Sequence, residues 1–299
     1  MFAQFFGNYL LNKKAVTPEQ LNEAMSKLKS TRLKLGTLAI HEGLMTAAEV
    51  DEIIYLQSRE DKRFGELAIA RNYLTDEQVE DLLHVQRPDY LLLGQNLVDM
   101  GVLTNQKMQD LLLDYQNEAE IYDMDIESQA DFEQLIKKFM LVSEQPVSDE
   151  MITYLKLFLN DLVRFIGEDF TPMAPVPASE YPVNFAIKQK IRGDFNADTY
   201  IDMPRETAVA FASRFASMEF NEFNEYVQAA IEDFLNLHNG LFGVNISNLR
   251  SLEVSLDPPA AFEEDLIELN ANSFVIPFNF TFGCIHLIVA FRRRAELEE

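Results

Sequence analysis

Apolar positions in the first 120 residues return with a 29-residue period. Gly7, Gly36, Gly65 and Gly94 are each 29 positions apart, and ten positions after each stands a threonine: Thr17, Thr46, Thr75 and Thr104. Val16, Met45, Leu74 and Leu103 precede the threonines. Leu21, Val50, Val79 and Met108 follow them, then Met25, Ile54, Leu83 and Leu112. A register held at this many positions marks a repeated supersecondary unit. Each unit reads as helix–turn–helix, with the threonine hydroxyl capping the second helix. Gln20, Glu49 and Gln78 stand three residues after their threonines and complete a capping box, which Lys107 breaks in the fourth unit. Pro18 suits a first helical position, where its missing amide costs little. One such unit cannot bury its apolar face alone, so neighbours are expected to stack, with the glycines allowing helices to approach closely.

The period ends near residue 120. Residues 121–147 are acidic and read as a linker, within which DFEQLIKKFMLV has the spacing of a short amphipathic helix and Pro146 marks a stop. SDEMITYLKLFLNDLVRFIGE (148–168) predicts a helix capped by Ser148 and ended at Gly167. A proline-rich stretch follows, and then NFAIKQKIRGDFNADTYIDM alternates around a Gly-Asp turn, which predicts a hairpin. Pro204 opens a helix, and a longer one is expected from about Asn221 to Leu241. LRSLEVSL, SFVIPFNFTFG and CIHLIVAFRRR read as strands. The fold expected is therefore two domains: all-α helical repeats, four helix–turn–helix units over 1–120, and an α+β domain over 148–299 with a mostly antiparallel sheet and long helices.

Charge narrows the partners. The net charge is −24, and no segment has a basic excess, so neither nucleic acid nor an anionic membrane surface is an expected partner. Apolar runs are too short and too interrupted to span a bilayer. The apolar N-terminus lacks a basic region and a cleavage site, so it does not read as a signal peptide. One cysteine, Cys284, excludes an internal disulfide framework and suits a reducing, cytoplasmic setting. The four histidines lie far apart without zinc-site spacing, so no metal site is expected.

The middle units, KLGTLAIHEGLMTAAEVDEIIYLQ (34–57) and RFGELAIARNYLTDEQVEDLLHVQ (63–86), resemble the repeat of the MshEN domain at the N-terminus of type II secretion and type IV pilus ATPases. That repeat starts Arg-Leu-Gly, continues through a Gly and a Thr or Ser cap, and ends on Gln. The resemblance implies cyclic di-GMP binding through Lys34, Leu35, Gly36 and Gln57, with Arg63, Phe64, Gly65 and Gln86. Lys34 stands in place of the arginine and Phe64 in place of the leucine. The alternative for the same pattern is a helical scaffold with no ligand.

Residues 148–294 resemble the CheX/CheC family of chemotaxis phosphatases. The match runs through the hairpin, PRETAVAFASRFA and the closing VIPFNFTFGCIHLIVAF. The family signature is Glu-x-x-Asn on a long helix, with a glycine four residues after the Asn and a proline further on. Here DFLNLHNG supplies Asp233 in the place of the Glu, with Asn236 and Gly240, and Pro259 follows. At 100° per residue, Phe223, Val227, Ala230, Ile231, Phe234 and His238 share one helix face. Asp233 and Asn236 point roughly the other way, one turn apart, beside the small Ala229 and Gly240. His238 on the apolar face reads as a core histidine. His286 and Cys284 alternate in a strand with no partner in reach by sequence.

The resemblance implies hydrolysis of a response regulator's aspartyl phosphate. The regulator supplies the Mg²⁺, so no cofactor of the chain's own is expected. Asn236 would position the attacking water, and Asp233 would pair with the regulator's lysine. The partner expected is a phosphorylated CheY-like regulator, and family members often dimerise, which implies a homodimer through this domain. Two other functions fit the same sequence: a non-catalytic adaptor, and a cyclic di-GMP-responsive effector acting through the N-terminal repeats.

Overall fold

A computed structural model describes residues 2–84, 89–119, 129–141, 148–262, 264–270 and 273–292. The chain forms two compact units, residues 1–126 and 127–299.

The first unit is helical: α1 (Phe2–Asn12), α2 (Pro18–Ser26), α3 (Leu35–His41), α4 (Ala47–Gln57), α5 (Phe64–Ala70), α6 (Asp76–His84), α7 (Asp89–Asp99) and α8 (Asn105–Ala119). The threonines start every second helix. Thr17 and Thr46 form full capping boxes with Gln20 and Glu49. Thr75 and Gln78 exchange the same two bonds, at 2.9 and 3.2 Å. Thr104 keeps only its bond from the Lys107 amide, at 3.1 Å. The glycines sit where two helices touch. A Cβ on Gly36 would stand 2.9 Å from Val50 Cγ1 and 3.0 Å from Phe64 Cζ, and one on Gly94 would collide with Met108.

The order of packing differs from stacking along the chain. α1 and α2 pack mainly on α7, and α1 also on α8; α3 packs on α5 and α6 and touches α7 and α8, and α4 packs on α5 and on α8. The first helical pair is thus covered by the fourth, while the second packs on both the third and the fourth. Two buried amides on α7 account for the crossing. Asn96 donates to the Ala24 carbonyl at 2.9 Å and accepts from the Thr31 hydroxyl at 2.7 Å. Gln95 donates to the Arg32 carbonyl at 2.9 Å and accepts from the Lys34 amide at 2.6 Å. These bonds tie α7 to the backbone of residues 24–34, adding to the bond that the Ala24 carbonyl accepts from the Lys27 amide at 3.3 Å. The arrangement also splits the last apolar offset of the sequence period: Met25 and Leu112 are buried, but Ile54 and Leu83 are exposed, at 49% and 62%.

The second unit opens earlier than the sequence suggests. Within the stretch read as a linker, α9 (Gln129–Leu141) forms and packs on α10 (Asp149–Asp161), burying Phe132, Leu135 and Ile136. Lys156 pairs with Glu133 at 2.6 Å. Residues 120–128 and 142–147, Pro146 among them, lie outside the described residues. Ser148 caps α10 by accepting from the Met151 amide, and a π-helical turn over residues 162–166 ends at Gly167, whose φ is +140°.

The strands are β1 (Phe170–Pro172), β2 (Val176–Pro177), β3 (Glu180–Pro182), β4 (Ala186–Gly193) and β5 (Asn196–Asp202), then β6 (Val254–Leu256), β7 (Ala260–Phe262), β8 (Leu266–Glu268), β9 (Ser273–Phe280) and β10 (Gly283–Arg292). Helices α11 (Arg205–Ala216) and α12 (Glu225–Arg250) lie between β5 and β6. The main sheet runs β1-β9-β10-β5-β4-β6 with antiparallel pairing throughout, and β3 pairs with β8 apart from it. One face of the sheet packs on α11 and α12. The other carries a second small core of Tyr200, Ile267, Val275 and Ile288, covered by Tyr181, Val183, Phe262 and Leu269.

Helix α12 is longer than its sequence pattern indicates. Asn224 caps it by accepting from the Tyr226 and Val227 amides, and it runs on past Leu241 to Arg250. Gly240 and Gly243 do not end it, because Phe242 and Ile246 continue the buried face. The strand read as LRSLEVSL is correspondingly reduced to Val254–Leu256.

Candidate functional site

Helical periodicity turns α12 into two surfaces. Val227, Ala230, Ile231, Phe234 and His238 are buried against the sheet and α10, while Asp233 and Asn236 are exposed, as is Ala229. A Cβ on Gly240 would meet nothing within 4 Å. Gly240, Gly243, Val244 and Val254 line an open hollow of about 450 Å³ that begins one turn beyond Asn236. Leu241 and Val244, both exposed, extend an apolar strip along the same side.

Asn236 is exposed but held. Its Oδ1 accepts from Gln189 Nε2 at 2.7 Å, and Gln189 is 1% exposed in the middle of β4. The same Nε2 donates to the Asp257 carbonyl at 2.9 Å. Gln189 Oε1 accepts from Asn239 Nδ2 at 2.8 Å. Asn239 also donates to Thr199 Oγ1 at 2.9 Å and accepts from the Tyr154 hydroxyl at 2.8 Å, and Thr199 donates to the Gln189 carbonyl at 2.9 Å. Pro259 joins this site indirectly. It stands two residues after Asp257, just ahead of β7, and Asp257 is itself clamped to Arg192 at 2.9 and 3.0 Å. Sequence reasoning singled out Asp233, Asn236, Gly240 and Pro259 and did not point to Gln189, Asn239, Thr199 or Tyr154, which the structure joins to Asn236 by hydrogen bonds. A glutamine between two isoleucines on the inward face of a strand (Ile187, Gln189, Ile191) was the available signal.

Behind this surface, His238 is fully buried between the rings of Tyr154 and Phe158, and its Nδ1 lies 2.8 Å from Asp161 Oδ2. Burial holds its pKa below the ordinary histidine value despite the opposing pull of Asp161. The neutral ring therefore donates Nδ1–H to the carboxylate, and Nε2 is buried with no hydrogen bond. This is a core histidine, not a base open to substrate.

Another polar cluster lies on the opposite face of the sheet. Asp202 is fully buried and accepts from the Tyr181 hydroxyl, the Asn184 amide and side chain, and the Phe185 amide, at 2.8 to 3.0 Å. His286 is its partner in register across β5 and β10, with Nδ1 3.9 Å from Asp202 Oδ2. Cys284 Sγ lies 3.8 Å from His286 Nε2. No partner for these two residues was legible along the chain, because Asp202 is more than 80 positions away. The order Cys–His–Asp matches a nucleophilic triad, but the electrostatics do not. Burial pushes the thiol up to about 11 and holds the imidazole below its ordinary value. The thiolate that such chemistry needs is therefore suppressed.

In the first unit, Lys34, Leu35, Gly36, Gln57 and Phe64 line one cavity of about 630 Å³, walled on the far side by Gln95, Val98 and Asp99 of α7. Lys34 Nζ is paired with Asp99 at 2.6 Å. Arg63 and Gly65 do not line this cavity. Arg63 caps α5 through its amide, which donates to Glu66 at 2.9 Å, and Gly65 packs against Val79 and Leu35. Gln86 lies outside the described residues. No group of metal-ligating side chains occurs among the described residues, and no helix there is long and apolar enough to cross a membrane.

No family model matches the chain, and no curated protein matches it. Among solved structures, the chemotaxis protein CheX of Desulfovibrio desulfuricans is similar over 48% of this chain and 100% of its own, at 14% identity and a TM-score of 0.42. A CheC-like superfamily protein of a Shewanella species is similar over 49% of this chain and 100% of its own, at 13% identity and a TM-score of 0.43. CheX in the CheX–CheY–BeF3–Mg²⁺ complex of Borrelia burgdorferi is similar over 48% of this chain and 99% of that chain, at 19% identity and a TM-score of 0.41.

Proposed function

We propose that the chain is a cytoplasmic signalling protein whose second unit docks on a phosphorylated CheY-like response regulator and hydrolyses its aspartyl phosphate. The observation that carries this reading is Asn236: a solvent-facing carboxamide, held from below by a buried glutamine and one helical turn from the free carboxylate of Asp233. The reaction asks little of the second protein. The regulator brings the Mg²⁺ and its acidic pocket. A water oxygen attacks phosphorus, the bond from phosphorus to the aspartate oxygen breaks, and inorganic phosphate leaves with the restored carboxylate. What has to be supplied is a positioned water and a fixed register. Asn236 positions the water, and Asp233 pairs with an ammonium group on the regulator. The hollow beside Gly240 and the strip of Leu241 and Val244 give a docking face next to these two groups. The test is the decay of a phosphorylated CheY-like regulator with and without the full chain. Acceleration abolished by Asn236→Ala supports the reading. No acceleration with any cognate regulator overturns it and leaves a non-catalytic adaptor.

A second reading concerns the first unit and rests on one cavity gathering Lys34, Leu35, Gly36, Gln57 and Phe64. Cyclic di-GMP bound there would have to draw Lys34 away from Asp99, and the carboxylates of Asp51 and Asp99 oppose an anionic ligand. Calorimetric titration of the full chain with cyclic di-GMP decides it. Saturable heat lost in Lys34→Ala supports nucleotide binding, and no heat leaves the helical scaffold.

A further inference from the structure

We propose that Gln189 is a positioning residue: it fixes the carboxamide of Asn236 with its oxygen inward and its nitrogen outward, so that the group offered to a partner is a hydrogen-bond donor. The proposal rests on the reading above only for what meets that donor, a phosphoryl oxygen or the water beside it.

The direction of every bond in the cluster follows from two backbone carbonyls that can only accept. The Asp257 carbonyl faces the end of Gln189, so Nε2 must lie there, and Oε1 is turned toward Asn239. The Gln189 carbonyl takes the proton of the Thr199 hydroxyl. Thr199 oxygen can then only accept, which places Asn239 Nδ2 against Thr199 and Gln189 and leaves Asn239 Oδ1 to the Tyr154 hydroxyl. Gln189 Nε2 has one remaining proton, and it points at Asn236, whose oxygen must therefore face inward. Turning over Gln189 or Asn239 sets like atoms against each other at two or more contacts, and turning over Asn236 sets nitrogen against nitrogen at its bond to Gln189. Asn236 Nδ2 is left on the solvent side with no partner among the described residues.

The cluster exceeds what packing requires. On the same face of β4, Ile187 and Ile191 are buried without polar partners. Tying an exposed side chain to a buried glutamine orders Asn236 before a partner arrives, so less of its freedom is lost on docking. The tie also links Asn236 to the segment carrying Pro258 and Pro259, through the Asp257 carbonyl. An Nδ2–H donated to one lone pair of a water leaves its other lone pair for phosphorus. Gln189 touches neither the water nor the phosphoryl group and acts through Asn236.

The experiment compares wild type, Gln189→Leu, Gln189→Glu and Ile187→Val in the full chain, with two readouts. The first is the side-chain amide signal of Asn236 in nitrogen–proton NMR, identified by its loss in Asn236→Asp. The wild-type signal should be rigid. Gln189→Leu should make it mobile, and Gln189→Glu should shift it as the amide turns to donate to the new carboxylate. The second is regulator dephosphorylation: kcat should fall at least 10-fold in both Gln189 variants, with KM within about twofold, and remain unchanged in Ile187→Val. A rigid, unshifted Asn236 signal in both Gln189 variants overturns the proposal. So does a fall in kcat for Ile187→Val equal to that of Gln189→Leu, because the effect would then be general loosening. If Asn236→Ala leaves decay unaltered, the phosphatase reading fails, while the NMR readout still judges the positioning role. If Asn236→Ala abolishes turnover and Gln189→Leu matches wild type, the reading stands and the positioning role fails.

Discussion

Replacing His238 by asparagine should flatten the loss of stability on acidification. The ring is fully buried and its pKa is held below the ordinary value of 6.5. The unfolded chain therefore takes up the proton first as pH falls. The stability that depends on a neutral His238 is complete above pH 6.5 and is lost below it, until the folded ring itself protonates. The unfolded state gains at most about 1.4 kcal/mol between pH 7.5 and 5.5 from this one site, the limit reached when the folded ring takes up no proton in that range, since each tenfold excess of protons is worth about 1.4 kcal/mol. Asparagine retains an N–H at the position of Nδ1, so Asp161 keeps a donor, but it does not titrate. Urea unfolding followed by far-UV circular dichroism at pH 7.5, 6.5 and 5.5 gives two stability curves. His41 and His286, also lowered by burial, are common to both and cancel in the difference. The absolute offset between the curves reports the cavity left by the smaller side chain. Only their convergence toward low pH reports the proton. Parallel curves, or a His238 ring that titrates at 6.5 or above in NMR, would refute the argument.

Gly240→Ala should stabilise the second unit by about 0.5–1 kcal/mol, because the glycine is interior to a helix and its Cβ would meet nothing; denaturation measures this, and a raised KM for the regulator would show that the methyl group obstructs docking. Asn96→Ala should destabilise the first unit by about 1–3 kcal/mol, because two hydrogen bonds from α7, each worth about 0.5–1.5 kcal/mol, are lost while the Ala24 carbonyl and the Thr31 hydroxyl keep only their bonds to Lys27; a shift in the urea midpoint below a few tenths of a molar would contradict it. Asp233→Glu should raise kcat/KM on the order of 10- to 100-fold, since the longer side chain restores about 1 Å of reach toward the regulator; an unchanged rate would show that Asp233 does not set the register.

Local rules were legible in the sequence, and long-range ones were not. The Thr17, Thr46 and Thr75 caps, the contacts of Gly36 with Val50, Gly65 with Val79 and Gly94 with Met108, and the 186–202 hairpin all depend on neighbours within about 16 residues, where spacing alone decides which groups can meet. The two faces of α12 followed from helical period, so Asp233 and Asn236 could be placed on its surface. The length of α12 could not, because two glycines weaken the local preference for helix while Phe242 and Ile246 restore it through tertiary burial. Gln189 meets Asn236 across 47 positions and Asp257 across 68, and Asp202 meets His286 only because β5 and β10 pair. A repeat pattern shows which residues need covering but not which copy covers them, so the matching of first with fourth pair was beyond it.

That matching has a consequence for synthesis. In a solenoid, each repeat can settle on the one before it as the chain leaves the ribosome. Here Phe2, Phe5, Phe6 and Leu10 of α1 are buried, and the surface they chiefly meet is α7, which begins some 80 residues later in the chain. This apolar segment leaves the ribosome well before the helix that covers it. It stays exposed for the time needed to make the three helical pairs that follow, at about 5–20 residues per second. Its high contact order predicts a single cooperative transition for the first unit, without stepwise gain of helical pairs. A nascent chain stalled before α7 would present the phenylalanines of α1 as a binding site for a chaperone.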